Sequence, residues 1–254
     1  MKLTSDAYLV ASGHLGVRIS HPSDCNAFAF DTGEGSYVLV DTGVGIDTER
    51  IVDNLRGDGI DPARVDHVFL THIHTDHIGG AALFREAFGA RVYAPEKEAD
   101  DLEEIDEVRL GLNVAKAAGF YPPDFEVRAC KVDVRVTDGY SVKLGRLTLR
   151  AIETPGHTRG AMTYLVEGEK RYLCCGDHIS YGGLINLQNY PNSGSSLDSY
   201  RESAPKLAGL AVDGFFPGHG LFTLNNGQTE VDLMVDAMKD LLVKGRFFVP
   251  NRFF

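Results

Sequence analysis

Apolar runs of four to seven residues recur along the chain, each closed by a turn rich in glycine or aspartate. Ala27-Phe28-Ala29-Phe30 and Tyr37-Val38-Leu39-Val40 flank Asp31-Thr32-Gly33-Glu34-Gly35, a pattern that predicts two strands joined as a hairpin. Asp41-Thr42-Gly43 ends that segment, and a helix is expected over about 47–55. The apolar, β-branched stretch 65–71 reads as a buried strand, with a further helix near 83–88. A second round has the same character. Strands are expected over 127–136, 141–142 and 146–152, then a hairpin of 162–166 with 172–175 about Glu167-Gly168-Glu169.

Two stretches carry a helical period instead. Between residues 95 and 120, Leu102, Ile105, Val108 and Leu112 fall at helical spacing. Over 231–243, Val231, Met234, Met238, Leu241 and Leu242 share one face, and Gly245 follows as a stop signal. Both stripes read as core-facing. No linker, low-complexity run or solenoid period divides the chain, so a single domain over residues 1–254 is expected. Strands preceding helices in two similar rounds predict two sheets packed together with helices outside.

Composition narrows the function classes. No apolar run reaches the ~18 residues of a membrane helix, and Met1 to Asp6 lacks the apolar core of a secretory signal. The four cysteines, Cys25, Cys130, Cys174 and Cys175, show no C-x-x-C spacing and no mini-protein framework. They read as small buried residues in a reducing, cytoplasmic compartment. A net charge of −11 disfavours non-specific nucleic-acid binding.

The chemistry concentrates in Thr71-His72-Ile73-His74-Thr75-Asp76-His77-Ile78-Gly79-Gly80. Histidine is the commonest protein ligand of zinc, and carboxylates supply oxygen ligands. On an extended chain His72 and His74 point to the same side, so both can reach one ion. Asp76 and His77 follow the turn and can converge on a second. Three later segments repeat the plan of an apolar strand ending on such a residue: Pro155-Gly156-His157, Gly176-Asp177-His178 and Pro217-Gly218-His219. No G-x-S-x-G and no Walker-type Gly-Lys-Ser/Thr is present. His178 reads as structural, and His14, His21 and His67 as surface or packing residues.

These motifs, with Asp41-Thr42-Gly43, resemble in order and local context those of the metallo-β-lactamase superfamily, over Asn26 to Gly220. The resemblance implies an α/β fold, an αββα four-layer sandwich of two mixed sheets flanked by helices, with a metal site at one edge between the sheets. It implies two Zn²⁺, with iron or manganese as alternatives. His72, His74 and His157 would hold the first ion, Asp76, His77 and His219 the second, and Asp177 would bridge them. Asp41 would orient ligands. Two such ions, less the charges of Asp76, Asp177 and a bridging hydroxide, would bring the pKa of bound water from 15.7 toward ~7.

The implied activity is hydrolysis of an ester, a lactone first, with Asp76 and Asp177 as catalytic groups and Tyr181 hydrogen-bonding a substrate oxygen. Alternatives are a thioesterase of the hydroxyacylglutathione type, a phosphodi- or triesterase, and a mononuclear iron dioxygenase. Asp177 speaks against β-lactam hydrolysis, because zinc β-lactamases generally replace it by Cys or Ser. The expected partner is a small-molecule substrate, without nucleic acid or membrane. The Phe-rich tail 247–254 is expected to dock on the core or on a second subunit as a homodimer.

Overall fold

The computed structural model describes residues 1–190, 193–239 and 245–248, the last four by backbone alone. Among them, one sheet carries β1 (Ala7–Ala11), β2 (Ala27–Asp31), β3 (Tyr37–Val40), β4 (Val65–Phe69), β5 (Arg91–Pro95) and β6 (Val134–Val136) in that spatial order. β1 to β3 are antiparallel neighbours, and β3 to β6 run parallel. The hairpin pairs Phe30 with Val38, and its turn is closed by Gly33 and Gly35 at φ of 82° and 72°, a region where a side chain is resisted.

The second sheet holds β7 (Ser141–Leu144), β8 (Leu147–Glu153), β9 (Met162–Glu167) and β10 (Arg171–Gly176). After β11 (Ile185–Gln188), which lies outside it, β12 (Gly214–Pro217) adds to the far edge, giving the order β12-β10-β9-β8-β7. β12 is parallel to β10 and the rest is antiparallel, so this sheet is mixed as well.

Side-chain alternation separates the layers. In β2, Phe28 and Phe30 enter the core between the sheets, whereas Ala27 and Ala29 face the helices outside. Phe28 stacks on Phe216 of β12 with ring centroids 4.4 Å apart, joining the two sheets directly. In β10 the adjacent cysteines part company: Cys174 faces the inter-sheet core and Cys175 the outer one. Outside the first sheet lie α1 (Thr48–Gly57) and, beyond the single-turn α2 (Thr75–Ile78), α3 (Ala81–Phe88). α4 (Ala99–Glu104) and α5 (Leu112–Ala117) fill the segment between β5 and β6. α6 (Leu197–Ser203) and α7 (Gln228–Lys239) cover the second sheet through Tyr200, Val231, Met234 and Met238. The expected four-layer αββα sandwich is therefore present.

Two elements differ from the sequence pattern. The stripe at 102–112 is not one helix. α4 stops at Glu104, Ile105 turns to φ 51°, and the Asp106 carboxylate takes the N–H groups of Val108 and Arg109. Leu102 and Leu112 are buried, but Val108 is 48% exposed. The strand expected over 127–136 shortens to β6, because the N–H groups of Cys130 and Val132 bond to Leu102 and Glu103 of α4 instead of a neighbouring strand. The helix expected over 231–243 is present as α7 up to Lys239, and Leu241, Leu242 and the tail 249–254 lie outside the described residues. The backbone of β13 (Gly245–Phe248) pairs in parallel with β11, Arg246 opposite Asn186. No helix among the described residues is long and apolar enough to cross a membrane.

Candidate metal centre

The chain leaves β4, β8, β10 and β12 at one edge of the sandwich, and each exit delivers residues of the cluster. After β4, His72 Nε2 lies 3.1 Å from His74 Nδ1, and His157 Nε2, from the loop after β8, lies 2.9 Å from the same atom. The opposite ring nitrogens of His157 and His72 have partners that assign the protons. His157 Nδ1 is 2.6 Å from the Asn186 carbonyl and must donate to it. His72 Nδ1 donates to Thr71 Oγ1 at 3.0 Å, whose own proton goes to Asp41 Oδ2 at 2.8 Å. His74 Nε2 meets the Tyr190 hydroxyl at 3.0 Å. With the N–H groups of His72 and His157 directed outward, their Nε2 lone pairs converge beside His74 Nδ1, an arrangement that suits a cation. Burial, reinforced by the neighbouring imidazoles, holds His72 well below its ordinary pKa. Burial likewise brings His74 down to about 3 and lowers His157, so all three stay neutral, the form that binds metal.

Asp76, His77 and His219 form the neighbouring half. His219 Nε2 is 2.9 Å from Asp76 Oδ2, and His77 Nε2 is 3.7 Å from that oxygen. Asp177 stands between the halves. Its Oδ2 is 3.6 Å from both His157 Nε2 and His219 Nε2, and its Oδ1 is 3.4 Å from His77 Nε2. His77 Nε2 and Asp177 Oδ1 are buried without a hydrogen-bond partner. Orphaned buried polar atoms are costly, and two facing one another across 3.4 Å fit a shared cation. The electrostatics differ from the first half. Burial opposes protonation of His77, but Cys25 and the carboxylates of Asp41, Asp76 and Asp177 outweigh it and raise its pKa. Burial would raise Asp76, yet His77 and the His219 hydrogen bond bring it down to about 2. Asp177 is held well below the carboxylate range, because His219 and His77 overcome its burial.

Local sequence sets these approaches. Asp41, at the end of β3, adopts φ 61°, which only a few non-glycine residues tolerate. In that pose it accepts the Thr71 N–H, the Thr71 hydroxyl and His77 Nδ1–H, each at 2.8 Å. A Cβ at Gly218 would strike Asp177 Oδ1 and His77 Cε1, so the His219 loop can close over the site only through glycine.

All seven residues expected as ligands are brought into this cluster. Tyr181 is not: it is 46% exposed, and no hydrogen bond ties its phenol to the cluster among the described residues. Tyr190, by contrast, brings its phenol to the His74 imidazole. His178 stacks on Tyr200, with ring centroids 4.6 Å apart, and burial takes it down to about 3. Sequence reasoning also missed Asn186, whose carbonyl orients His157 while its amide donates to the Asp177 carbonyl at 3.0 Å. No spacing marks Tyr190 or Asn186, which touch the site from a segment lacking histidine.

A two-sheet sandwich with paired histidine and aspartate clusters at the strand ends defines a class of metalloproteins. Residues 22–219 match the profile of the metallo-beta-lactamase superfamily, and the chain belongs to that superfamily. A hydroxyacylglutathione hydrolase of Bradyrhizobium sp. (strain ORS 278) is 29% identical over 131 residues, covering 51% of this chain and 41% of that protein. The chain covers about two-fifths of the length of the first such relatives it matches. Among solved structures, a metallo-beta-lactamase family protein from Thermus thermophilus aligns with a TM-score of 0.71 at 22% identity, over 94% of this chain and 81% of the other. The subclass B3 metallo-beta-lactamase of Bradyrhizobium japonicum gives 0.65 at 24%, over 88% of each chain. At these identities the structures speak for the fold alone.

Proposed function

We propose that the chain is a metal-dependent hydrolase that cleaves an ester-type acyl bond at a binuclear zinc centre. One observation carries this reading: Asp177 Oδ2 is equidistant, at 3.6 Å, from a nitrogen of the three-histidine half and a nitrogen of the Asp76–His77–His219 half. A carboxylate so placed suits two ions rather than one. His72, His74 and His157 would hold the first, Asp76, His77 and His219 the second, and Asp177 both. Zinc held there would supply a water of pKa ~7 and an electrophile for the acyl carbonyl. The chain's own contribution is to present the neutral imidazoles of His72, His74 and His157, to keep Asp76 ionised, and to place a carboxylate at the site that would relay a proton. Tyr190 presents its phenol to the side chain of a candidate ligand, His74.

Two substrates are compared within this chemistry. The ligand set suits a lactone or a thioester alike, and the names of the hydroxyacylglutathione hydrolases favour the thioester. The whole chain is read as one catalytic unit. Four buried thiols without a disulfide suit a reducing cytoplasm. The test is metal analysis beside a panel of lactones, thioesters and phosphoesters. Two zinc ions per chain with turnover of a lactone or thioester support the proposal. One redox-active iron with oxygen uptake would replace it by an oxygenase. No turnover on any arm of a zinc-loaded protein would reject it.

A further inference from the structure

The segment between β5 and β6 supplies no candidate ligand, yet it buries two carboxylates against the loops that do. Glu98, at the start of α4, is 1% exposed. Its Oε2 accepts the N–H of Ile73, between His72 and His74, at 3.2 Å. Its Oε1 accepts the N–H of Gly160, in the loop carrying His157, at 2.9 Å. A Cβ on Gly160 would come within 2.9 Å of Glu98 Cγ and 3.0 Å of Lys97 Cβ, so a glycine makes this approach possible. One turn further on, Asp101 is also 1% exposed and receives Arg159 of the same loop, and Arg109 at 2.6 Å. A carboxylate out of water is retained only where donors satisfy it. For Glu98 the donors are the backbones of two metal-site loops.

We propose that Glu98 is a positioning residue that holds the His72–His74 loop and the His157 loop at the separation one ion requires. The two loops leave different sheets, β4 in one and β8 in the other, so their spacing is not set by strand pairing within either sheet. A carboxylate can accept an amide N–H on each oxygen. A carboxamide has one acceptor oxygen, and its NH₂ would face the second N–H. Glu98→Gln therefore keeps the volume and breaks one of the two straps.

The role rests on the metal-centre reading above, and the test separates the two. Amide hydrogen exchange at Ile73 and Gly160 is measured in metal-free wild type, Glu98→Gln and Gly160→Ala. Zinc affinity is then measured for each against a competing chelator. Exchange protection is expected to fall at one of the two amides in Glu98→Gln and at the residue-160 amide in Gly160→Ala, with zinc affinity lower by about 10–100-fold in each, the range for groups supporting metal ligands. Circular dichroism should be unchanged. If Glu98→Gln does not fold, Gly160→Ala decides, because it displaces the strap without removing a buried charge. Wild-type zinc affinity in a folded variant would overturn the proposal, even if amide protection fell. A wild-type chain that takes up no zinc would instead overturn the metal-centre reading itself.

Discussion

The Tyr190 hydroxyl lies 3.0 Å from His74 Nε2, on the edge of the ring opposite the nitrogen that meets His72 and His157. Gly111, at φ 70°, backs the phenol so closely that a Cβ there would come within 2.6 Å of Tyr190 Cζ. The segment between β5 and β6 and the segment after β11 thus meet over one imidazole. Burial pushes the Tyr190 phenol up, so it stays neutral beside a neutral His74.

Tyr190→Phe removes the hydroxyl and leaves the ring. Its expected effect is a loss of about 10–100-fold in zinc affinity, since groups that orient metal-bound imidazoles matter on this scale. Tyr181→Phe should change nothing, given its exposed position. Chelator competition with both variants checks the contrast. Equal affinities would remove Tyr190 from the site.

Asp41→Asn should act on both halves at once. The one carboxylate takes two donors from Thr71 and one from His77, and Thr71 in turn holds His72. A carboxamide cannot accept all three, and leaving a buried donor unpaired costs about 1–3 kcal/mol. Urea unfolding of the metal-free protein should show that loss. Zinc stoichiometry should fall from two toward none rather than stopping at one.

The cysteines should be unreactive in the native state. All four are buried and unpaired. Burial pushes Cys25 up to about 12 and Cys130 up to about 11. The thiolate is the reactive form, so a raised pKa leaves almost none of it at pH 8. A disulfide reagent at pH 8 should find about zero thiols in folded protein and four after unfolding. Fast labelling of native Cys130 would contradict the packing of α4 against it.

Ending the chain at Lys239 should weaken zinc binding without dissolving the sandwich. The cut removes β13, which pairs with β11 beside Asn186, and the Asn186 carbonyl orients His157. Circular dichroism should keep its strand signal while zinc affinity falls several-fold. Light scattering on both lengths tests the expected homodimer: a mass that halves on truncation would assign the tail to a second subunit.

What the sequence determined by itself is set by local physics. The apolar runs 27–30 and 37–40, the glycines of the turn at Gly33 and Gly35, and apolar runs ending on His72, His157, Asp177 and His219 are short-range signals that mark strands and the residues at their ends, while the grouping of seven residues came from the family resemblance. The periodic stripe at 102–112 misled, because Asp106 can capture two backbone N–H groups and outcompete the helix, a choice that period does not encode. Only the tertiary structure decided which residues support the cluster. Tyr190 reaches His74 across 116 positions, Asp41 reaches His77 across 36, and Glu98 reaches Gly160 across 62. Such contacts depend on where two packed sheets place their loops. A phenol, a main-chain carbonyl or a buried carboxylate carries no spacing of its own, so its role exists only once the chain has brought it to the imidazole or loop that it holds.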